Sequence, residues 1–243
     1  MFFGELAVLR GDEDVQLILG LLAEVGTLQT IQLRILITSR PETPIRFGFI
    51  DIPETAHHDF VLHNVSAHVI EHDISTFFYH EFEIIRKRHR LSEQWPGEHV
   101  IELLVQSSYG LFIYAATVCR FIQQRRHHPE HCLSLILDEE MTSPSHTEQL
   151  DKMYTQVLKD SVIGDCEDWD RSPLSERFRN IVGSIVILFD SLTASSLARL
   201  LQVADWMVKA TLDSLHSVLD IPGDRDSPIR LLHPSFQDFI LHP

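Results

Sequence analysis

The chain has 243 residues, more than one core usually needs, so two or three small domains are expected. Hydrophobic residues make up 44%, enough for well-packed cores, and 10 glycines with 11 prolines argue against long disordered tracts. A formal net charge of −15 repels nucleic acid and anionic lipid at long range, which weighs against both as partners.

In chain order, Asp12 or Asp14 caps a predicted helix that runs to about Glu24, with Leu17, Leu21 and Leu22 turned inward. Residues 34–38, Arg-Ile-Leu-Ile-Thr, read as a buried strand that stops at Ser39-Arg40-Pro41. In open α/β sheets ligands bind at the carboxyl ends of strands. An arginine there suits a phosphate, because its planar fork of donors matches phosphate oxygens. The plainer alternative is a surface arginine at a strand exit. A helix followed by such a strand is half of a parallel βαβ unit. Residues 58–65, "HDFVLHNV", read as a second short strand.

From about Ile70 the pattern is helical. Ile70, Ile74, Phe77, Phe78 and Ile85 fall on one face. "GEHVIELLVQSS" is a second helix, started near Pro96. Residues 110–123 are apolar nearly all round, as a central helix should be. Leu150, Met153, Tyr154, Val157 and Leu158 keep the same helical rule. "GDCEDWDRSP", residues 164–173, reads as an acidic, capped linker and a domain boundary.

Beyond it come three helices. Phe178, Ile181, Val182, Ile185 and Phe189 mark the first; Thr193 caps the second, with Leu197, Leu200 and Leu201. Val208, Leu212, Leu215 and Leu219 mark the third. "SVLDIPGDRDSPIRLLHP" then reads as strand, turn, strand, since Pro222-Gly-Asp is turn chemistry. Three helices and a two-stranded wing make a winged helix. Its own periodicities and the linker before it lead us to expect a separately folding part.

"LRILITSRPE", "SYGLFIYAATVCRFI" and "LLHPSFQDFI", in this order, resemble NACHT-type signalling NTPases of the STAND class. That class includes animal NOD-like receptors and fungal incompatibility-type proteins, and the resemblance is to the fungal branch. It covers the chain from about Asp12 to the end. It implies a mainly α chain with a partial α/β beginning. Residues 1–66 would be the remnant of a nucleotide-binding α/β domain, 67–163 a helical subdomain, and 171–243 a winged-helix domain.

The resemblance also implies roles. Arg40 matches the sensor arginine that touches the terminal phosphate. Gly110 matches the glycine of a Gly-x-Pro-like element that packs on base and sugar, although Phe112 replaces the proline and reads more plainly as a core residue. His233 matches the histidine that reaches the β-phosphate of ADP and holds a closed state. The plainer reading of His233 is a cap on the last helix, with Pro234 at the first helical position; both roles are compatible.

One departure is decisive for chemistry. The phosphate loop, which wraps triphosphate oxygens with backbone N–H groups and a lysine, is absent, and no Gly-Lys-[Ser/Thr] occurs. Asp12, Glu13 and Asp14 read as helix-capping acids rather than a Mg²⁺-binding pair, because no clean apolar strand leads into them. The chain therefore reads as an NTPase that begins after its catalytic strands, with no catalytic residues of its own. ADP or ATP is expected as cofactor only alongside the missing part. The expected function is a partial nucleotide switch, cytoplasmic, working with other domains of a larger receptor and oligomerising through that parent. The alternative is a non-enzymatic α-helical interaction fragment.

The remaining patterns carry less. Cys119, Cys132 and Cys166 form no CxxC pair, so neither a disulfide framework nor a zinc ribbon is indicated, and a reducing cytosol fits. "RRHHPEHC" places His127, His128, His131 and Cys132 within reach of a zinc ion, or makes a solvated turn. "IIRKRHR" is a basic run at a helix end, where cations are favoured. The third winged-helix helix sets Asp205 and Asp213 against Lys209 alone, too little positive charge for a DNA reader. No stretch reaches the length of a membrane span, and the first residues lack the pattern of a signal peptide. No Gly-x-Ser-x-Gly nucleophile motif occurs.

Overall fold

A computed structural model describes residues 12–25, 35–38, 43–50, 52–53, 57–58, 60, 64–124, 128–138, 145–163, 168–188, 190–224 and 226–241. These residues hold eleven α-helices and one two-stranded sheet, so the protein is mainly α. The chain divides into two compact units, Met1–Asn64 and Val65–Pro243.

In the first unit, α1 (Asp12–Val25) packs on α2 (Thr43–Ile50). Leu19 is the buried anchor of α1. It seats against Gly48 of α2, where an added Cβ would overlap Leu19 Cδ1. The helix is where the sequence puts it, but its phase differs. Leu17 and Leu21 are exposed, because the face toward α2 is centred on Leu19.

The expected strands are a second correction. Residues 35–38 are irregular, and Leu36 is 89% exposed. Of residues 58–65, those described (58, 60, 64 and 65) are not in a strand either. A strand exists through its ladder partner, and no described residue of this unit supplies one. The partial α/β character expected at the start is therefore not seen among the described residues.

The second unit begins with α3 (Ala67–His89). Ile74, Phe78, Phe82 and Ile85 recur at helical spacing and are buried. Phe78 and Phe82 stack at 5.6 Å, and Trp95 meets Phe82 edge-on at 5.3 Å. Arg86, Lys87, Arg88 and His89 fill the last turn, where the helix dipole favours cations. Arg90, at φ 56°, ends the helix.

α4 (Glu98–Ser108) stops at two successive left-handed residues, Tyr109 and Gly110, which redirect the chain into α5 (Phe112–Gln123). α5 is the central helix, packed against α3, α4, α6 (Pro129–Asp138) and α7 (His146–Leu158). Tyr114, Ala115, Val118, Cys119, Phe121 and Ile122 are all buried on it. Met153, Tyr154 and Val157 are the buried face of α7, which runs into a single π turn, Lys159–Ile163.

α8 (Asp168–Ile187) continues through Pro173. Much of the stretch read as a linker is thus helical; residues 164–167 lie outside the described set. Thr193 caps α9 (Ala194–Leu201) as expected, its hydroxyl oxygen accepting the Ser196 N–H at 3.1 Å. α10 (Asp205–Leu212) follows. β1 (Leu219–Asp220) and β2 (Arg230–Leu231) pair antiparallel, Leu219 opposite Leu231. In their connection Asp224 Oδ1 accepts the Ser227 N–H at 2.7 Å and the Asp226 N–H at 3.0 Å. α11 (Pro234–Leu241) closes the chain's described part and packs on α7 and α8.

One continuous core runs from Ile74 of α3 to Phe236 of α11. The expected parts 67–163 and 171–243 therefore lie together in a single compact unit.

Candidate functional site

His233 sits between β2 and α11, with Pro234 at the first helical position. A proline there costs nothing, since its missing N–H would have been an orphan. The next N–H, of Ser235, donates to His233 Nδ1 at 3.1 Å. The imidazole thus does the work that a serine or aspartate oxygen does at most helix starts. Because Nδ1 accepts, the ring hydrogen of the neutral imidazole belongs on Nε2.

The same nitrogen lies 2.8 Å from Ser235 Oγ, which in turn lies 2.8 Å from the Tyr154 hydroxyl. Tyr154 also shares a hydrogen bond with Thr117 of α5. A polar chain therefore joins α5, α7 and α11 through otherwise apolar packing. Tyr154 is held by Phe236 at 5.3 Å and Phe239 at 5.4 Å. Burial raises its hydroxyl above the usual tyrosine range, against the opposing pull of Ser235 and Thr117. It stays a neutral donor and acceptor.

Gly110 has φ +76°, a left-handed conformation that favours glycine. A Cβ there would stand 3.4 Å from Ile70 Cγ2, so the position is close but not blocked. Phe112, read from the sequence as a core residue, is 46% exposed and meets Phe77 edge-on at 6.2 Å. It is a surface aromatic rather than a core one. Gly110 opens α5 and His233 opens α11; the polar chain from His233 reaches α5 at Thr117. Arg40 lies outside the described residues.

The sequence pattern singled out His233 but missed its partners. Tyr154 was legible as a core position of α7. The signal for its further role is chemical: a buried tyrosine hydroxyl needs a partner. A second buried tyrosine behaves likewise: Tyr114 shares bonds with Gln149 and Ser107, and burial pushes its hydroxyl up to about 12.

Among the described residues the zinc pattern does not assemble. His128 and His131 are exposed while Cys132 is buried. Burial pushes the Cys132 thiol up to about 11, away from the thiolate a metal needs. His127 and Cys166 lie outside the described residues. Among the described residues no group of three His, Cys, Asp or Glu could hold a metal ion, and no helix is long and apolar enough to cross a membrane.

Set against known proteins, the chain matches no family model, no curated protein and no solved structure.

Proposed function

We propose that this chain is the non-catalytic rear part of a NACHT-type nucleotide switch in a cytoplasmic signalling receptor. It holds and reports a nucleotide only when joined to a phosphate loop, and it does not hydrolyse ATP alone. The observation that carries this reading is the state of His233. Its Nδ1 is committed to the α11 backbone, so the ring hydrogen on Nε2 is the donor that a β-phosphate contact requires. That tautomer is compatible with the role the resemblance implies, and equally with a helix cap alone.

The alternative is a non-enzymatic α-helical interaction fragment. The first unit, where Leu17, Leu21, Leu36, Phe47, Ile50 and Phe60 are exposed, fits either reading. Apolar surface of that kind calls for a covering partner. In the switch reading the cover is the rest of a nucleotide-binding sheet; in the alternative it is another protein.

Nucleotide discrimination separates the readings. Phosphoryl transfer depends on positioned cations and Mg²⁺, and no Gly-Lys-[Ser/Thr] phosphate-loop motif occurs in the sequence. The chain alone should show no turnover under either reading. A longer polypeptide that joins it to a phosphate loop should bind ATP and ADP, and Arg40→Ala in it should blunt discrimination between the two. Equal preference before and after that change would favour the interaction fragment. Mg²⁺-dependent turnover by the isolated chain, lost on Arg40→Ala, would overturn both.

A further inference from the structure

A cleft of about 400 Å³ opens along the end of α7, the π turn, α8 and α11. Its volume falls toward the lower end of the ~300–1,000 Å³ range of small-molecule sites. Leu158, Val162, Phe178 and Phe239 form its floor, each partly buried against the core. The floor is therefore the open outer face of a packed interior, ready to take an apolar body.

Among the described residues its charged lining is one-signed. Lys159 and Arg179 line it, and no carboxylate does among the described residues. Asp160 and Glu176 are near in sequence but are not part of the lining. In a chain of net charge −15, two cations facing one apolar cleft form a local exception.

Two backbone features border the cleft. Lys159 begins the π turn, a widened helical turn that recurs at functional sites. Gly183 lies in the interior of α8, where glycine is less favourable than alanine. Packing gives no reason for it, because a Cβ at Gly183 would meet nothing within 4 Å. What this glycine preserves is empty space on the cleft wall.

We propose that this cleft binds a small amphipathic carboxylate, with its apolar chain on the Phe178–Phe239 floor and its head against Arg179 and Lys159. A polyanion such as a nucleotide does not fit the same lining. Most of its polar atoms would leave water for an apolar floor without partners. A single carboxylate needs only the cations at one side, and an arginine fork accommodates both its oxygens. This inference is independent of the nucleotide reading, since no residue assigned to the nucleotide lines the cleft.

The test is calorimetric titration of the whole chain with decanoate and, separately, decanol. Decanoate should bind saturably at one site, and decanol about tenfold or more weaker, reflecting one lost charge-assisted contact. Arg179→Gln should reduce decanoate affinity by a similar factor of about ten and leave decanol unchanged. Gly183→Leu should abolish both, and Gly183→Ala should weaken both while raising the melting temperature, which shows that the fold survives the change. Equal affinity for decanoate and decanol would overturn the proposal, leaving a plain apolar surface. So would undiminished decanoate binding in a folded Gly183→Leu protein. Absence of saturable binding, or self-association abolished by Gly183→Leu, would also overturn it, the latter by assigning the cleft to a second copy of the chain.

Discussion

At the scale of single residues, the Tyr154–Ser235–His233 chain makes a measurable claim. Tyr154→Phe keeps the ring between Phe236 and Phe239 but removes the hydroxyl that Ser235 and Thr117 share. The loss should be about 1–2 kcal/mol, one net hydrogen bond plus some unsatisfied polarity, read from urea unfolding. A loss near zero would mean that the polar chain does not tie the helices together. Asp224 makes a second claim, about pH. The Ser227 hydroxyl first, then the Ser227 N–H, hold its carboxyl below the usual range. A carboxyl lowered in the folded state contributes stability above its unfolded pKa and loses that contribution as pH falls through its folded one. Asp224→Asn keeps an oxygen for both N–H groups but cannot titrate. The acid limb of stability against pH should therefore be shallower in the variant than in the parent; identical limbs would remove Asp224 from the turn's energetics.

At the scale of elements, two glycines should respond with opposite signs. Gly110→Ala forces an L side chain into φ +76°, at a cost of about 1–2 kcal/mol. Gly183→Ala adds a methyl to open space in a helix interior and should gain about 0.5–1 kcal/mol. Urea midpoints on both variants check the pair; a shared sign would contradict the local geometry. These elements also show what the sequence could reveal. α3 and α7 were legible because their apolar residues define one face each, and α5 because it is apolar nearly all round. The Thr193 cap and the Asp224 turn were legible because each uses side-chain chemistry that fixes its backbone locally. The phase of α1 was not. Leu17, Ile18, Leu19, Leu21 and Leu22 cover more than one face, and the partner α2 decides that Leu19 goes in. Residues 35–38 have strand composition, but a strand needs a neighbour, which composition cannot supply. Pro173 and the acids before it suggested a linker, yet α8 passes through them. At the site, His233 was visible in the quoted pattern and its Ser235 partner is local, whereas the Tyr154 contact depends on helix packing across 81 residues of chain.

At the scale of the whole molecule, the continuous core of the second unit bears on how it unfolds. α11 packs on both α7 and α8, and Gln237 Nε2 donates to the Val186 carbonyl at 3.0 Å. Residues 67–163 and 171–243 should therefore unfold in one cooperative step, with coincident far-UV and near-UV transitions. Two resolved transitions, with a stable fragment released near residues 166–172, would instead support the separate winged-helix part that the linker composition suggested. The central claim, that the chain is part of a nucleotide switch, turns on His233. The most direct measurement is the ADP dissociation rate of the polypeptide joined to a phosphate loop, with His233→Asn compared against the parent. Asparagine keeps the cap on α11 but withdraws the Nε2 donor. Our account predicts an unchanged melting temperature and ADP release about tenfold faster, the loss of one charge-assisted bond. Release at the parental rate from an equally stable protein would contradict it and leave His233 as a helix cap.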